Sequence, residues 1–275
     1  MSDSKHLRWG ILGAATIARK NWQAIRLSGN GTITAVASRD ARRAQAFIDA
    51  CQAHVPFPAV PAAVGGYEKL LARPDVDAVY IPLPTGLRRE WVIKAAEAGK
   101  HVVCEKPCAP SLADLQAMTD ACARNRVQFM DGVMFMHNGR MPKIREELDG
   151  GSVGTLRRLT AQFSFNAPAE FFADNIRSHS GLEPHGCLGD LGWYCTRIIL
   201  FAMKWRMPDR VVGRLLATRS RPDSPAPVPT QFSAEFFWKD GPSAAYYVSF
   251  ETENQQWAHL AGDKGYLRVD DFVLP

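Results

Sequence analysis

The stretch Leu7-Arg-Trp-Gly-Ile-Leu-Gly13-Ala-Ala15-Thr-Ile-Ala18 constrains this chain more than any other. A short apolar run enters Gly13, and a helical pattern begins near Thr16. Small residues stand at three places, Gly13, Ala15 and Ala18. A dinucleotide-binding turn needs small residues for its tight bend, for approach to the pyrophosphate and for close helix–strand contact. Alanine at the middle place adds one methyl group beside the phosphates, but a helix N-terminus still faces them. The candidate nucleotide contacts are Gly13, Ala14, Ala15, Thr16 and Ile17. An ordinary strand–turn–helix with small residues would read the same, so the rest of the chain has to decide.

The first half alternates between strand and helix. Strands are expected over 7–12, 33–38, 78–81, 102–104 and 127–133. Helices are expected over 16–28, 41–53, 67–72, 87–98 and 112–124. Such alternation implies an α/β domain with a doubly wound parallel sheet, of the Rossmann type. Ser111, with Asp114 three residues on, forms a capping pattern for the last of these helices.

The second strand ends in Ser38-Arg39-Asp40. NAD-binding units usually place an acid here for the ribose hydroxyls. A hydroxyl followed by a guanidinium suits a 2′-phosphate better, so NADP is expected over NAD, with NAD still possible. Arg42 and Arg43 follow one helical turn on. Both can be solvated helix positions, and Arg43 is also a candidate for added positive field. Asp40 is expected to cap the helix.

Two further strand ends carry chemistry. Pro82-Leu83-Pro84-Thr85 stops one strand at the sheet's carboxyl edge, where a nicotinamide ribose can lie. Glu105-Lys106-Pro107 closes another. Open α/β sheets bind ligands at this edge, and a lysine there needs an anionic partner, hydrogen bonds or a lowered pKa. Glu105 and Lys106 therefore join the cofactor candidates.

The second half has another rhythm. Strands rich in aromatic and β-branched residues are expected over 156–165, 211–218, 231–238, 244–251, 257–261 and 266–269. One helix is expected over 188–203, and a proline- and serine-rich loop over 219–230. This describes an α+β domain with an open, mostly antiparallel sheet. The boundary falls near 135, giving domains of 1–135 and 136–275. Asp190 and Tyr194 lie four apart, so on one helix they share a face. A tyrosine can give or take a proton but is a weak base at neutral pH unless a cation favours its phenolate. Lys106, across the cleft, is the expected cation. The plainer reading of Tyr194 is a core tyrosine, and of Asp190 a carboxylate at a helix N-terminus.

Composition narrows the classes. The chain has 275 residues, 46% hydrophobic and 22% charged, with a net charge of +5. No basic run interleaved with aromatics points to nucleic acid. No apolar stretch is long enough to span a membrane, and the N-terminus has no signal pattern. Six cysteines lack paired spacing, and Cys104 with Cys108 makes a poor metal motif, so no metal is expected. Reduced thiols in a cytoplasmic protein are the expectation, with a redox role for Cys104 or Cys108 as the lesser alternative.

Taken in order, Arg8 to Ala18, Val36-Ala-Ser-Arg39, Ile81-Pro-Leu-Pro-Thr85, Gly99-Lys-His-Val-Val-Cys-Glu-Lys-Pro107 and Leu188-Gly-Asp-Leu-Gly-Trp-Tyr194 resemble the glucose-fructose oxidoreductase / inositol dehydrogenase / rhizopine catabolism (Gfo/Idh/MocA) family. The branch they resemble holds dihydrodiol dehydrogenase and NADP-dependent xylose dehydrogenase, and the likeness covers nearly the whole chain. It implies hydride transfer between a nicotinamide and a small-molecule alcohol of sugar, cyclitol or diol type. It implies Lys106 near the reacting hydroxyl, Tyr194 as proton donor or acceptor, Asp190 orienting substrate hydroxyls, and Arg177 as a weaker contact, for which a solvated arginine is the preferred reading. It also implies a homodimer or higher homo-oligomer through the C-terminal sheet. Arg88 stands where many relatives have histidine. Relatives continue past this chain's last residue, which implies a short or truncated form. Two alternatives follow: a cofactor-binding sensor or scaffold without turnover, and an inactive family member.

Overall fold

The computed structural model describes residues 6–274. Their contacts divide into two units, one running to Gly132 and the other beginning at Val133. The sequence places this boundary near 135.

In the first unit the strands are β1 (Leu7–Leu12), β2 (Gly31–Ser38), β3 (Ala62–Gly65), β4 (Ala78–Ile81), β5 (His101–Cys104) and β6 (Phe129–Asp131). The helices are α1 (Ala18–Leu27), α2 (Ala41–His54), α3 (Tyr67–Leu71), α4 (Thr85–Glu97) and α5 (Leu112–Arg124). The sheet order is β3-β2-β1-β4-β5-β6, and every pair is parallel. This is the doubly wound nucleotide-binding order. Both faces are covered. Ile11, Ile33, Val36 and Tyr80 pack on Trp22, Ile25, Phe47 and Ile48 of α1 and α2. On the other face Leu12, Ala37, Val79, Ile81 and Val102 pack on Leu70, Val92, Ala95, Met118 and Ala121. That two-sided burial is why these strands read as apolar runs rather than alternating ones.

The strand β3 lies outside the sequence expectation. Its Ala-Ala-Val-Gly run has little strand propensity of its own. It forms because β2 offers an open edge, with Ala35 facing Ala62 through to Ser38 facing Gly65. Capping follows the sequence reading. Asp40 accepts from the Arg42 amide at 2.9 Å, and Ser111 Oγ accepts from the Asp114 amide at 3.1 Å.

The second unit adds α6 (Arg140–Asp149), β7 (Leu156–Asn166), α7 (Ala169–Asp174), α8 (Gly186–Asp190), α9 (Gly192–Ala202), β8 (Arg210–Arg219), β9 (Val228–Phe237), β10 (Ser243–Ser249), β11 (Glu251–Gly262) and β12 (Tyr266–Val269). Its sheet order is β12-β11-β7-β10-β9-β8. Only β7 and β10 pair in parallel; the other pairs are antiparallel. One face is buried. Leu159, Ala161, Ala234, Phe236, Ala244, Tyr246, Val248, Ala258 and Leu260 pack with Tyr194, Cys195, Ile198, Ile199 and Ala202 of α9. The helix α6 was not expected from sequence, because its Arg-Met-Pro-Lys-Ile-Arg-Glu-Glu-Leu-Asp run buries only Met141 and Ile144. The single helix expected over 188–203 is two: α8 ends at Asp190, and Leu191 is the N-cap of α9.

Candidate active site

At the carboxyl end of β1 the chain turns at Gly13, with φ +125°. Its amide donates to the Ala37 carbonyl at 2.9 Å. A Cβ placed there would sit 3.1 Å from Leu83 Cδ2. Glycine is therefore required twice, for the left-handed backbone and for the approach of the β4 loop. Ala14, Ala15 and Thr16 then line a cavity of about 260 Å³ together with Arg19, Arg43, Ala46 and Phe47. Ala18 is fully buried against the sheet, which is the helix–strand contact expected of the third small residue. Ile17 caps α1 with no side-chain hydrogen bond and is exposed. The amides of Ala18, Arg19 and Lys20 donate back to the carbonyls of Ala15, Thr16 and Ile17, and the dipole of α1 favours an anion at this end.

The positive groups around this turn sort themselves. Arg42 is spent on Asp40 at 3.1 Å, whereas Arg43 lines the cavity. Arg39 is exposed. Burial pushes the Tyr67 phenol up, and the Arg39 and Arg43 charges oppose that shift. Ser38 is buried, and its carbonyl accepts from the Gly66 amide at 2.8 Å. Arg19 is a third guanidinium that the sequence reading missed. Its spacing was the available signal: it follows Thr16 by three residues, and its amide donates to the Thr16 carbonyl at 3.2 Å. A hydrogen-bonding turn, a helix start and three arginines fit a dinucleotide carrying an extra phosphate.

The ends of β4 and β5 lie side by side in the sheet. Pro82, Leu83 and Thr85 are buried, with Pro84 half-buried. Thr85 opens α4, two residues before the expected start. Glu105 is buried, and its Oε1 accepts from Tyr80 Oη at 2.6 Å. Its Oε2 accepts from the Lys106 amide at 3.2 Å. Burial and the neighbouring Glu105 charge push the Tyr80 phenol far up, so this hydroxyl stays a donor and Glu105 an acceptor. Lys106 itself is half-buried.

In the second unit Tyr194 is buried, at 6% exposure. Its ring packs against Phe163 at 5.4 Å edge-on and Phe135 at 5.8 Å. Asp190 is also buried, and its Oδ2 accepts from Arg177 Nε at 2.6 Å. The Asp190 charge raises the Arg177 pKa, with smaller contributions from Glu183 and Tyr194. Arg177 is therefore not a free solvated arginine. It is the cation that holds the Asp190 carboxylate. Asp190 ends one helix instead of opening another, and its carboxylate is held by Arg177 rather than by a helix N-terminus. Glu183 was missed because nothing in its spacing links it to Arg177.

Among the described residues no group of three or more His, Cys, Asp or Glu side chains is placed to hold a metal ion. No helix is long and apolar enough to cross a membrane. All six cysteines are buried with free thiols.

A doubly wound sheet with a nucleotide-type turn, followed by an α+β unit, defines a dinucleotide-binding protein of two-domain oxidoreductase type. Residues 7–133 match the oxidoreductase family, NAD-binding Rossmann fold, and residues 141–268 match the GFO/IDH/MocA C-terminal domain; the chain belongs to the Gfo/Idh/MocA oxidoreductase family. It is 33% identical over 264 residues to D-xylose 1-dehydrogenase (NADP(+)) 2 of Haloferax volcanii, covering 96% of this chain and 76% of that one. It is 36% identical over 194 residues to the dTDP-3,4-didehydro-2,6-dideoxy-alpha-D-glucose 3-reductase of Saccharopolyspora spinosa. That match spans 70% of this chain and 55% of the relative. Among solved structures, a 3-ketoreductase from Actinomadura kijaniata in complex with NADP and TDP-benzene superposes with a TM-score of 0.85 at 26% identity. The superposition covers 98% of this chain and 78% of the reductase.

Proposed function

We propose that this protein is an NADP(H)-dependent oxidoreductase acting on a CH–OH or carbonyl carbon of a sugar, cyclitol or diol. The observation that carries the reading is the cavity at the end of β1, where the Ala14–Thr16 turn meets Arg19 and Arg43, with Arg39 beside it at the end of β2. An extra phosphate has cations waiting; a bare ribose would have no acid to meet. Relatives that reduce a dTDP-linked sugar or oxidise xylose support a carbohydrate-type substrate.

When bound, NADP supplies the hydride acceptor or donor. The chain's own residues manage the proton. As an alcohol is oxidised, its C–H bond breaks with the electron pair leaving as hydride for the bound cofactor, and the O–H proton passes to the Tyr194 phenolate, which becomes the phenol, as the C=O bond forms. Reduction runs the same transfers backwards. Lys106 supplies a positive charge for the reacting oxygen, and Asp190, fixed by Arg177, orients substrate hydroxyls. General acid–base groups contribute roughly a hundredfold or more. Lys106→Met and Tyr194→Phe are therefore each expected to lower turnover at least that far, with NADPH still bound. Fluorescence titration of the tryptophans with NADPH and NADH checks the cofactor, and steady-state rates on xylose, dTDP-linked 3-keto sugars, diols and dicarbonyls check the chemistry. Wild-type turnover in both variants would refute the proton assignment. Tight NADPH binding with no turnover across that panel would make the protein a sensor.

The same reading includes self-association through the second sheet and a reducing, cytoplasmic setting. Thr160, Gln162, Tyr247, Trp257 and His259 alternate with the buried positions of that sheet, and its edge strand β8 exposes Val211, Leu215 and Leu216.

A further inference from the structure

Among the described residues Arg88 is the only buried arginine, at 5% exposure. A guanidinium removed from water is costly unless its donors are met. Nε and Nη1 of Arg88 reach three acceptors in two segments of the chain. Nε donates to the Leu83 carbonyl at 2.7 Å. Nη1 donates to Thr85 Oγ1 at 3.0 Å and to the Pro107 carbonyl. Leu83 belongs to the loop after β4, Thr85 is the first residue of α4, and Pro107 belongs to the loop after β5.

The position of this fork matters. The ladder between β4 and β5 ends at Ile81 and Cys104, and the last main-chain bond runs from the Glu105 amide to the Ile81 carbonyl at 3.2 Å. Beyond that point no strand pairing holds the two loops together. Arg88 lies one turn into α4, on the same face as Thr85, and bridges the loops where the ladder stops. On the near side of Lys106, Glu105 is held by Tyr80 Oη. On the far side, Pro107 is held by Arg88. Lys106 thus sits between two anchored neighbours.

We infer that Arg88 is a positioning residue, which holds the Glu105–Pro107 loop against the Pro82–Thr85 loop and so fixes where Lys106 presents its ammonium. The inference rests on the proposed role of Lys106. It also gives a reason for arginine here in place of the histidine that the family resemblance implies. A planar guanidinium with five donors spans acceptors on two loops. An imidazole has two donors at most and a shorter reach.

The two buried thiols of this segment, Cys104 and Cys108, report on it directly. Cys104 Sγ lies 3.9 Å from the Cys108 carbonyl, inside the turn that carries Lys106. The test compares labelling by 5,5′-dithiobis(2-nitrobenzoate), located by peptide mass spectrometry, in the wild type, Arg88→Lys and Arg88→Met, with thermal unfolding of each. Lysine keeps the buried charge but loses the fork. The expected result is cooperative unfolding, with Cys104 and Cys108 labelled at least tenfold faster and Cys187 and Cys195 of the second unit unchanged. Equal protection of Cys104 and Cys108 in all three proteins would overturn the inference. So would faster labelling of all six thiols together, or loss of cooperative unfolding in both variants, since either would mean that Arg88 supports the whole fold. Turnover separates this outcome from the underlying reading. If Lys106→Met keeps full activity while the thiols respond selectively, the loop-holding role stands and the proton role of Lys106 falls.

Discussion

The two units build their chemistry in opposite ways. In the first, most candidate residues leave the end of a strand, and the sheet fixes those ends: the Gly13 amide donates to the Ala37 carbonyl and the Gly66 amide to the Ser38 carbonyl, while the Lys106 amide donates to the neighbouring Glu105 carboxylate. In the second, Asp190 and Tyr194 flank a break between two helices, and the cation that holds Asp190 comes from Arg177, thirteen positions away. A parallel sheet fixes its strand ends by register, so sites placed there are encoded locally. A helix junction fixes nothing by itself, and its site depends on which distant side chain packs against it.

That contrast sets the expected effects of mutation. The largest falls on the first unit. If Arg39 and Arg43 meet a phosphate, replacing both with alanine removes two charge-assisted contacts, each worth about 1.5–3 kcal/mol. NADPH should then bind roughly a hundredfold more weakly or worse, NADH should change little, and the unfolding midpoint should hold. Parallel titrations with the two cofactors check this, and an equal loss for both would break the assignment. In the second unit the effect should reverse, with stability falling and cofactor affinity unchanged. Arg177→Met removes the charge-assisted bond to the buried Asp190 carboxylate, at a cost of about 1–3 kcal/mol. Urea unfolding of the single variants and of the double variant with Asp190→Asn measures the coupling. Additive costs would mean that the pair is incidental. The smallest effect concerns the exposed edge of the second sheet. Leu215→Lys should weaken self-association without changing the fold, as sedimentation velocity would show, because a charge on an edge strand opposes strand-to-strand contact.

The legibility of the chain follows the same division. The opening turn, the Ser38-Arg39 end, the two proline-bounded loops and the alternation of elements were all readable, because each rests on local spacing. The cap residues Asp40 and Ser111 were readable for the same reason. The strand β3 was not, since its alanines pair only because β2 leaves an edge open. Arg19 was within reach of a spacing argument. Arg177 and Glu183 were not, because burial and pairing with Asp190 are decided by packing, and a sequence shows only that an arginine is present. Arg88 makes the same point inside the better-read unit. As a sequence feature it is a departure from the pattern that the family resemblance implies. Only the fold puts Leu83, Thr85 and Pro107 around it.

The sequence by itself determined the two-part organisation, the strand ends from which the cofactor residues project and the family to which the chain belongs, because periodicity, turn chemistry and motif order are properties of neighbours along the chain. The tertiary structure decided which buried polar groups are held and by what: Asp190 by Arg177, Glu105 by Tyr80, and the Pro107 carbonyl by Arg88. Those choices depend on desolvation and on partners tens of residues away, and a buried charge is placed by the groups that satisfy it rather than by its position in the chain.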